Sequence, residues 1–141
     1  MFKKSKSPNT MQVEADLQQQ AASFGICPEV LTVNRKEKYI VMQRLDRTIL
    51  DVIRERKPRS LTDSEESRII EIMSALDEAG VLQNDGNLRN LMYDFDGQLK
   101  VIDFGFAKPI KASHRKKYGP NPNSATSLWM FAREFKKYKT P

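Results

Sequence analysis

Two short segments decide how this chain is interpreted: LQNDGNLRN at residues 82–90 and IDFGFA at residues 102–107. In the first segment, Asp85 stands in a turn rich in glycine and asparagine, and Asn90 follows five positions later. In the second, Asp103 begins the tripeptide Asp-Phe-Gly. Two carboxylates and an amide offer hard oxygen donors, which are the ligands that Mg²⁺ prefers. The segments therefore predict a phosphate-and-metal site if the fold brings them together.

The sequence between the two segments predicts how they meet. LMYDF at residues 91–95 and LKVI at residues 99–102 are typical of strands, and the Asp96-Gly97 pair between them is typical of a tight hairpin turn. A hairpin brings its two outer ends together, so the residues before the first strand converge with those after the second. The alternative is a plain hairpin flanked by turn-forming residues, without a ligand.

The upstream half of the chain predicts one helix and one hairpin. The helix is expected to run from about Gln12 to Gly25. VLTV at residues 30–33 and KYIVMQRL at residues 38–45 are rich in β-branched and apolar residues and predict an antiparallel hairpin. The inward stripe of the helix is expected to comprise Val13, Leu17, Ala21 and Phe24.

Two further helices are predicted next. Asp46 to Arg56 suits a short helix, and Thr62 or Asp63 caps a longer one that ends at Gly80. Helices and antiparallel hairpins in this order predict an α+β fold. The inward faces are expected to comprise Ile49, Leu50 and Ile53 in the first helix and Ile69, Ile70, Ile72, Met73 and Leu76 in the second.

The last part of the chain, residues 108–141, carries nine Lys and Arg against a single acid, Glu134. One amphipathic helix is predicted there, starting at about Ser124. Its apolar face is expected to cover the exposed core. That face comprises Leu128, Trp129, Phe131, Ala132 and Phe135.

The net charge of +6 is unevenly distributed, because lysines without a neighbouring acid precede residue 12 and the middle of the chain is net acidic. The predicted organisation is a basic N-terminal segment at residues 1–11, one domain at residues 12–110 and a basic tail with a C-terminal helix at residues 111–141. Basic ends suit an acidic protein surface or a nucleic acid. The alternative is a pair of solvated termini without a partner.

The composition predicts a soluble, intracellular protein, either cytoplasmic or nuclear. The longest apolar runs are too short to span a bilayer, and the first residues, MFKKSKSPNT, lack the apolar region of a secretion signal. No membrane association is therefore expected. The single cysteine, Cys27, cannot form an internal disulfide and is expected to be a buried, inert thiol.

The quoted motifs resemble those of protein kinase-like enzymes. DGNLRN at residues 85–90 is similar to their catalytic loop, D-x-x-x-x-N, and Asp103 begins a match to their metal-binding Asp-Phe-Gly. Upstream, EADLQQQAASFGICPEVLTV and KYIVMQRLDRTILDVI look like the C helix, following strands, hinge and next helix of small atypical kinases, including that of the KEOPS tRNA-modifying complex. The resemblance covers roughly residues 12–108. It implies a truncated kinase-like fold in which a C helix, a hinge hairpin and two helices precede the catalytic-loop hairpin.

The resemblance also implies a role for each matching residue. Asp85 would be the base that accepts or orients the hydroxyl proton of the acceptor, and Asn90 and Asp103 would hold Mg²⁺ against the phosphates of ATP. The other positions implied to contact the nucleotide are Met42 as the gatekeeper, the backbone of Gln43, Arg44 and Leu45 around the adenine, Glu14 as the C-helix glutamate, and Asn87 in place of a catalytic-loop lysine.

The chain departs from the kinase pattern in three places. It contains no G-x-G-x-x-G loop, and Lys3, Lys4 and Lys6 lie too close in sequence to the predicted C helix for a normal strand to be expected there. The usual His-Arg before the catalytic Asp is Gln83-Asn84. The segment after Asp-Phe-Gly is short and contains no Ala-Pro-Glu, which implies that the peptide-binding part of a kinase is missing.

Three functions are compatible with this pattern. The favoured one is a minimal Mg·ATP-dependent phosphotransferase acting on Ser/Thr of a protein, because Asp85, Asn90 and Asp103 are all present. The second is a pseudokinase or nucleotide-binding interaction module without catalysis, and the third is a kinase of a small molecule or nucleic-acid component. Kinase-like proteins of large DNA viruses are similarly compact, which suggests such an origin and a location in the host cell. A homodimer that lends a lysine in trans is a further expectation.

Overall fold

The computed structural model describes residues 2–4 and 10–138, with side chains at 10–127 and 131–138. Its elements form the α+β architecture that the sequence predicts. The α-helices are α1 (Met11–Ala22), α2 (Ile49–Glu55), α3 (Asp63–Ala79), α4 (Ala112–Tyr118) and α5 (Pro122–Tyr138). The strands are β1 (Phe2–Lys4), β2 (Val30–Asn34), β3 (Tyr39–Met42), β4 (Arg47–Thr48), β5 (Val81–Leu82), β6 (Leu91–Tyr93), β7 (Leu99–Val101) and β8 (Lys108–Pro109), and a 3₁₀ turn (Leu88–Asn90) precedes β6.

The described strands form small antiparallel sheets in the orders β1-β3-β2, β4-β6-β7 and β5-β8. The second sheet contains the predicted catalytic-loop hairpin, in which Leu91 pairs with Val101. In the third sheet Leu82 pairs with Lys108, so the segment before the catalytic loop is tied to the segment after Asp-Phe-Gly. Paired strands therefore bracket both quoted segments.

Strand β1 differs from the expectation for the start of the chain. The inference that Lys3 and Lys4 lie too close to α1 for a strand is wrong, because β1 pairs antiparallel with β3 and Lys3 is opposite Ile40. A strand of this length spans only about 10 Å. It needs only the free edge of β3, whose backbone groups are otherwise unpaired. Lys6 lies outside the described residues.

Helix α1 begins one residue earlier than predicted, and Thr10 caps it by accepting a hydrogen bond from the backbone N–H of Val13 at 3.3 Å. The predicted inward stripe is only half correct. Leu17 and Ala21 are buried, whereas Val13 and Phe24 are 43% and 44% exposed. The helix is thus rotated relative to its most apolar stripe.

The buried stripe of α1 instead includes two polar residues, Glu14 and Gln18. Nε2 of Gln18 donates a hydrogen bond to the carbonyl oxygen of Pro28 at 2.8 Å. Burial of a polar group costs little free energy once the group is hydrogen-bonded. A hydrophobic pattern does not reveal such a pairing, which explains why the sequence predicted the wrong stripe.

Cys27 is buried, as predicted, and its thiol donates a hydrogen bond to the backbone oxygen of Gln18 at 3.2 Å. Burial raises the pKa of this thiol to about 12, against a smaller lowering by the positive charge of Lys100. The thiol is therefore protonated at neutral pH, and the nucleophilic thiolate is not populated.

Helix α2 is shorter than predicted, because Arg47–Thr48 first pair with β6 as strand β4. Thr48 then caps the helix by accepting a hydrogen bond from the N–H of Asp51 at 3.1 Å. Ile49 and Ile53 are buried, and Leu50 packs against the same core. The predicted inward face of α2 is confirmed.

Helix α3 begins as predicted, because Thr62 and Glu65 form a reciprocal capping box. The helix ends at Gly80, whose φ of 75° lies in the left-handed region that favours glycine. Ile70 is 49% exposed, so its predicted inward position is wrong. The predicted inward residues that are buried are Ile69, Ile72, Met73 and Leu76.

The turn of the β6–β7 hairpin is organised by Asp94. One carboxylate oxygen of this buried residue accepts hydrogen bonds from the backbone N–H groups of Asp96 and Gln98, at 2.9 and 2.8 Å. Gly97 has a φ of 80°. Strand β6 ends at Tyr93, earlier than predicted, because Asp94 already belongs to the turn, whereas β7 begins at Leu99 as predicted and ends one residue early at Val101.

The segment predicted as a basic tail with one helix contains two helices, α4 and α5. Helix α5 begins at Pro122, before the predicted Ser124, and packs along α3. On its predicted apolar face Phe131 is buried and Phe135 packs against the core, whereas Ala132 is exposed. The side chains of the remaining two predicted members of this face, Leu128 and Trp129, lie outside the described part.

The N-terminus of α5 is tied to α3 by Asp77. One carboxylate oxygen of Asp77 accepts hydrogen bonds from the backbone N–H of Asn123 at 2.7 Å and from its side-chain amide at 3.0 Å. The other accepts from the hydroxyl of Ser124 at 3.0 Å. A carboxylate satisfies the free N–H groups at a helix start and interacts favourably with the helix dipole. This contact fixes where α5 crosses α3.

No helix in the described ranges 10–138 combines the length and the apolar character that a membrane crossing requires.

A hydrogen-bonded cluster joins the start of α3 to the β6–β7 hairpin. Arg56 donates to both carboxylate oxygens of Glu65, at 2.6 and 3.2 Å, and the hydroxyl of Tyr93 donates to one of them. Burial by itself raises the pKa of Glu65, but the hydrogen bonds from Arg56, the N–H of Thr62 and Tyr93 outweigh burial, so this pKa is lowered. Burial and the contact with Glu65 raise the pKa of Tyr93.

The substitution Glu65→Gln is expected to reduce the loss of stability in acid. Because the folded-state pKa of Glu65 is lowered, its stabilisation is fully present above the unfolded value of 4.5 and is lost as the pH falls through the folded value. Chemical unfolding across this range should show the difference in unfolding free energy between wild type and variant shrinking as the pH falls. A difference independent of pH would contradict the assignment.

The matched control for this experiment is Glu71→Gln, since the side chain of Glu71 is 70% exposed and pairs only with the nearby Arg68 among the described residues. This change should alter the unfolding free energy by less than about 0.5 kcal/mol.

Candidate active site

The side chain of Gln83 connects the two quoted segments. Its Oε1 accepts a hydrogen bond from the backbone N–H of Asp85 at 2.9 Å, and its Nε2 donates to the backbone oxygen of Asp103 at 3.0 Å. The residue is fully buried. One amide group therefore holds the loop carrying Asp85 at a set distance from the strand end carrying Asp103, as the predicted convergence requires.

The backbone adds a second connection between these segments. The N–H of Ile102 donates to the carbonyl oxygen of Asn90 at 2.8 Å, which continues the β6–β7 pairing beyond its last ladder residues. Asp103, the residue after Ile102, therefore lies close to Asn90 on the neighbouring chain segment. The structure brings together Asp85, Asn90 and Asp103, the residues that the sequence predicts as base and metal ligands.

The carboxylate of Asp85 is held by two amides from its own loop. Nδ2 of Asn87 donates to Oδ1 at 3.1 Å, and Nδ2 of Asn90 donates to Oδ2 at 2.8 Å and to the backbone oxygen of Asp85 at 2.9 Å. Asp85 is half-buried. Both carboxylate oxygens thus have a set direction while the group stays accessible from outside.

The amide of Asn90 is oriented by these bonds. Because its Nδ2 points to Asp85, its Oδ1 faces away from that residue and receives no hydrogen bond from any side chain that the structure describes. Asn90 is 9% exposed. An amide oxygen held in this way is a suitable ligand for a hard cation.

Asp103 has a φ of 67°, in the left-handed region that non-glycine residues seldom adopt. Its Oδ1 accepts a hydrogen bond from the backbone N–H of Gly105 at 3.0 Å, which stabilises the turn locally. Such strained conformations are found preferentially at functional sites. The conformation redirects the chain at Asp-Phe-Gly, where Phe104 is fully buried and anchors the turn.

The predicted hinge lies between the first two sheets and is fixed at both ends. The N–H of Gln43 donates to the oxygen of Glu29 at 2.8 Å, and the N–H of Asp46 donates to the oxygen of Tyr93 at 2.8 Å. Leu45 is buried. The segment therefore has a set backbone path, which a hinge that presents backbone groups to a ligand requires.

The other predicted nucleotide contacts occupy different surroundings. Met42 is buried with Ala15 and Ile40 in a small apolar cluster under α1. Arg44 is exposed and its guanidinium lies 5.5 Å from the centre of the Phe95 ring. Glu14, on α1, is only 1% exposed. A buried carboxylate next to an apolar cluster is costly unless a cation or hydrogen-bond donors compensate it.

Helix α5 packs against the catalytic loop and forms hydrogen bonds with its backbone. A Cβ atom at Gly86 would lie 2.9 Å from both Cβ and the backbone oxygen of Ser127, so this position accepts only glycine without a shift of the helix. Both carboxylate oxygens of Glu134 accept from the N–H of Leu88, at 3.1 and 3.2 Å. In addition, the N–H of Gln83 donates to Oδ1 of Asn123 at 3.0 Å. Loop and helix are thus one packed unit.

The donor set around Asp103 fits a cation that takes few protein ligands. No group of three or more His, Cys, Asp or Glu able to hold a metal occurs among the described residues. Asn90 and Asp103 provide one amide oxygen and one carboxylate, with Asp85 beside them. This set suits Mg²⁺, which retains waters or phosphate oxygens in its octahedral shell, and it does not suit Zn²⁺, which prefers nitrogen and sulfur ligands.

Residues 7–126 match the family model of the ABC1 atypical kinase-like domain. The matched range covers most of the chain and includes Asp85, Asn90 and Asp103. The chain belongs to the ABC1 atypical kinase-like family. The kinase-like fold predicted from the motifs is therefore confirmed. None of the curated proteins compared matches the chain.

Sequence reasoning missed several residues that position the site of this ABC1 domain. The kinase pattern identifies Gln83 only as a departure from the usual histidine, and it assigns no role to Asp77 or Asn123. Asp77 could have been found, because it lies on the buried stripe of α3 four residues after Met73. An acidic residue on an apolar stripe indicates a buried partner. No local signal indicates that this partner is Asn123, which lies 46 residues further along the chain.

The substitution Gln83→Leu is expected to destabilise the protein and to separate the two segments. It leaves the N–H of Asp85 and the oxygen of Asp103 without their partner, and each unsatisfied buried group costs about 1–3 kcal/mol. Urea unfolding should therefore show a loss of at least about 2 kcal/mol. Gln98→Leu is the matched control, because that side chain is exposed. Equal effects of both changes would contradict the bridging role.

Proposed function

We propose that this protein is a Mg·ATP-dependent phosphotransferase that phosphorylates Ser or Thr of a protein substrate. The observation that carries the proposal is the hydrogen-bonded arrangement of Asp85, Asn87 and Asn90, together with the bond from Gln83 to the backbone of Asp103. A purely structural loop needs turn formers but no carboxylate held open between two amides. Membership of a kinase-like family supports the same conclusion.

In this proposal Asp85 accepts the proton of the attacking hydroxyl or orients that hydroxyl. Its carboxylate is oriented from one side by Asn87 and Asn90 and is partly open to solvent. A positioned base of this kind contributes about 10²- to 10⁴-fold to the rate.

Asn90 and Asp103 are proposed to hold Mg²⁺, through Oδ1 of Asn90 and the carboxylate of Asp103. Bound there, ATP would supply the phosphoryl group and the cation would neutralise the charge of the phosphates. The contribution of the protein is to position the metal ligands. Gln83 holds the ligand-bearing segments together, and the Gly105 N–H holds the Asp103 carboxylate.

The nucleotide base is proposed to lie along the hinge. The backbone of Gln43, Arg44 and Leu45 would receive the adenine, and Met42 would limit the depth of the pocket behind it. Since Arg44 is exposed, its contribution is proposed for the backbone only. Asn87 already donates to Asp85 and accepts from the N–H of Arg89, so a direct contact of Asn87 with nucleotide remains a prediction.

Strand β1 adds a candidate for the cation that contacts the phosphates. Lys3 is the register partner of Ile40, and residues opposite each other in antiparallel strands lie on the same face of a sheet. Ile40 is buried in the cluster under α1, the helix that carries Glu14. We therefore propose that position 3 supplies the lysine that the sequence pattern did not place, whereas Lys4 is opposite Tyr39 and belongs to the other face.

The second candidate function is a non-catalytic, nucleotide-binding module. It is favoured by Asn87 at the place of a catalytic-loop lysine and by the lack of a G-x-G-x-x-G sequence in the 141 residues. A small-molecule or nucleic-acid-component kinase remains a third proposal. The expectations of a viral origin, a location in the cytoplasm or nucleus, and a homodimer that lends a lysine in trans also remain proposals.

Substitution of the proposed base is expected to slow phosphoryl transfer, and substitution of the proposed metal ligand is expected to remove it. Wild type should transfer label from γ-labelled Mg·ATP to members of a mixed panel of acidic and basic proteins, and Asp85→Asn should lower the rate about 10²- to 10⁴-fold. Asp103→Ala should remove transfer by removing a metal ligand. Asp96→Asn, in the exposed hairpin turn, is the control and should retain full activity. Transfer that is absent from wild type, or that survives both site changes, excludes the enzyme.

The substitution Lys3→Met is expected to weaken ATP binding, and Lys4→Met serves as its control. Wild type at 100 times Kd should gain about 2.7 kcal/mol of stability from ATP, provided that only the folded state binds. Lys3→Met should lose about 1.4 kcal/mol of this gain, which corresponds to a tenfold weaker Kd. Thermal unfolding with and without Mg·ATP measures both values. Equal behaviour of the two variants would remove Lys3 from the site.

A further inference from the structure

A groove of about 490 Å³ lies beside the catalytic loop, between α2, the 3₁₀ turn and the end of α5. We call it the basic groove. Its cationic lining consists of one residue from α2, one from the 3₁₀ turn and two from α5. These are Arg54, Arg89, Arg133 and Lys137.

The four cations of the basic groove are exposed, and none forms a salt bridge with any acid in the described part of the chain. Glu134 is the acidic residue of the lining, and both of its carboxylate oxygens are engaged by the N–H of Leu88. Like charges gathered around one concavity repel one another and gain from a ligand of opposite charge. The basic groove therefore favours an anionic occupant.

The position of Arg89 connects the basic groove to the proposed chemistry. This residue lies between Asp85 and Asn90 on the same loop, and its N–H donates to the side chain of Asn87 at 2.9 Å. Asn87 in turn donates to the carboxylate of Asp85 at 3.1 Å. Arg89 therefore places one wall of the groove on the loop that carries Asp85, four positions after the proposed base. The groove is thus suited to contact the region flanking the acceptor.

The walls of the groove indicate a peptide rather than a nucleic acid. Leu50 and Tyr138 supply apolar and aromatic surface beside the four cations. Nucleic-acid binding typically relies on cations that follow the phosphate backbone along an extended track. The other dense basic segment, on α4, does not contribute to the groove. An acidic side chain with its aliphatic part can satisfy both kinds of wall.

We propose that the basic groove docks a short acidic segment of the protein substrate, so that the kinase selects Ser or Thr flanked by Asp or Glu. This inference rests on the proposed phosphotransferase function, and it names the substrate class of that site. The walls of the groove recognise the acidic segment, whereas Asp85 acts on the hydroxyl. The recognition step requires neither ATP nor metal, so it is testable separately from catalysis.

The test measures binding of fluorescent peptides to the nucleotide-free protein by anisotropy. One peptide carries a serine flanked by Glu and Asp, and its partner carries Gln and Asn at the same positions. The variant Arg89→Glu/Arg133→Glu removes two cations of the groove. Its matched control, Lys116→Glu/Lys117→Glu, makes the same change of net charge on exposed residues of α4. Arg89→Gln/Arg133→Gln repeats the test without introducing acids.

The acidic peptide should bind wild type and the α4 control at least about tenfold more tightly than the Gln/Asn peptide, and both groove variants should lose this preference. The preference should also decrease with added salt, because the four cations are exposed. Circular dichroism confirms that each variant folds. Equal losses in the groove and α4 variants, equal binding of the two peptides, or displacement of the acidic peptide by a single-stranded oligonucleotide at lower concentration would each overturn the proposal.

Catalytic assays separate this proposal from the proposed function. If the acidic peptide binds through the groove but no label is transferred to its serine, docking stands and the phosphotransferase fails. If label is transferred equally to acidic and neutral peptides, the phosphotransferase stands and docking in the groove is overturned.

Discussion

The geometry of the candidate active site depends on one buried amide. Gln83 accepts from the N–H of Asp85 and donates to the oxygen of Asp103, so it fixes the loop with the proposed base relative to the turn with the proposed metal ligand. An amide can do this because it offers a donor and an acceptor on one rigid group. In kinase-like catalytic loops this position is usually a histidine, and in this structure the amide of Gln83 makes the connection.

Gln83 itself is held by a second layer of buried polar contacts. Its N–H donates to Asn123, whose amide donates to Asp77 on α3 and to the oxygen of Val81. These bonds connect Gln83 and the preceding strand β5 to α5, and they connect α5 to α3. Buried networks of this kind are stable only when each member is satisfied. The C-terminal helix is therefore an integral support of the site, rather than an appended tail.

The fold and the site were predictable to different extents. The order of helices and hairpins, the cap at Thr62 and the stop at Gly80 follow local rules of capping and left-handed glycine, and the structure confirms them. The inward stripe of α1 was not predictable, because Gln18 is buried through a bond to Pro28. Strand β1 was missed because pairing with β3 is a property of an edge that lies nearly 40 residues away.

What the sequence by itself determined is which residues form the candidate site and their approximate place. Asp85, Asn90 and Asp103 could be named from residue type and spacing, since turn residues and a hairpin signal act over a few positions. Only the tertiary structure decided how these residues are held and what surrounds them. The contacts of Gln83 with Asn123 and of Leu88 with Glu134 span 40 and 46 positions. The basic groove likewise exists only where α2, the 3₁₀ turn and α5 meet, because non-local packing leaves no pattern within any one segment.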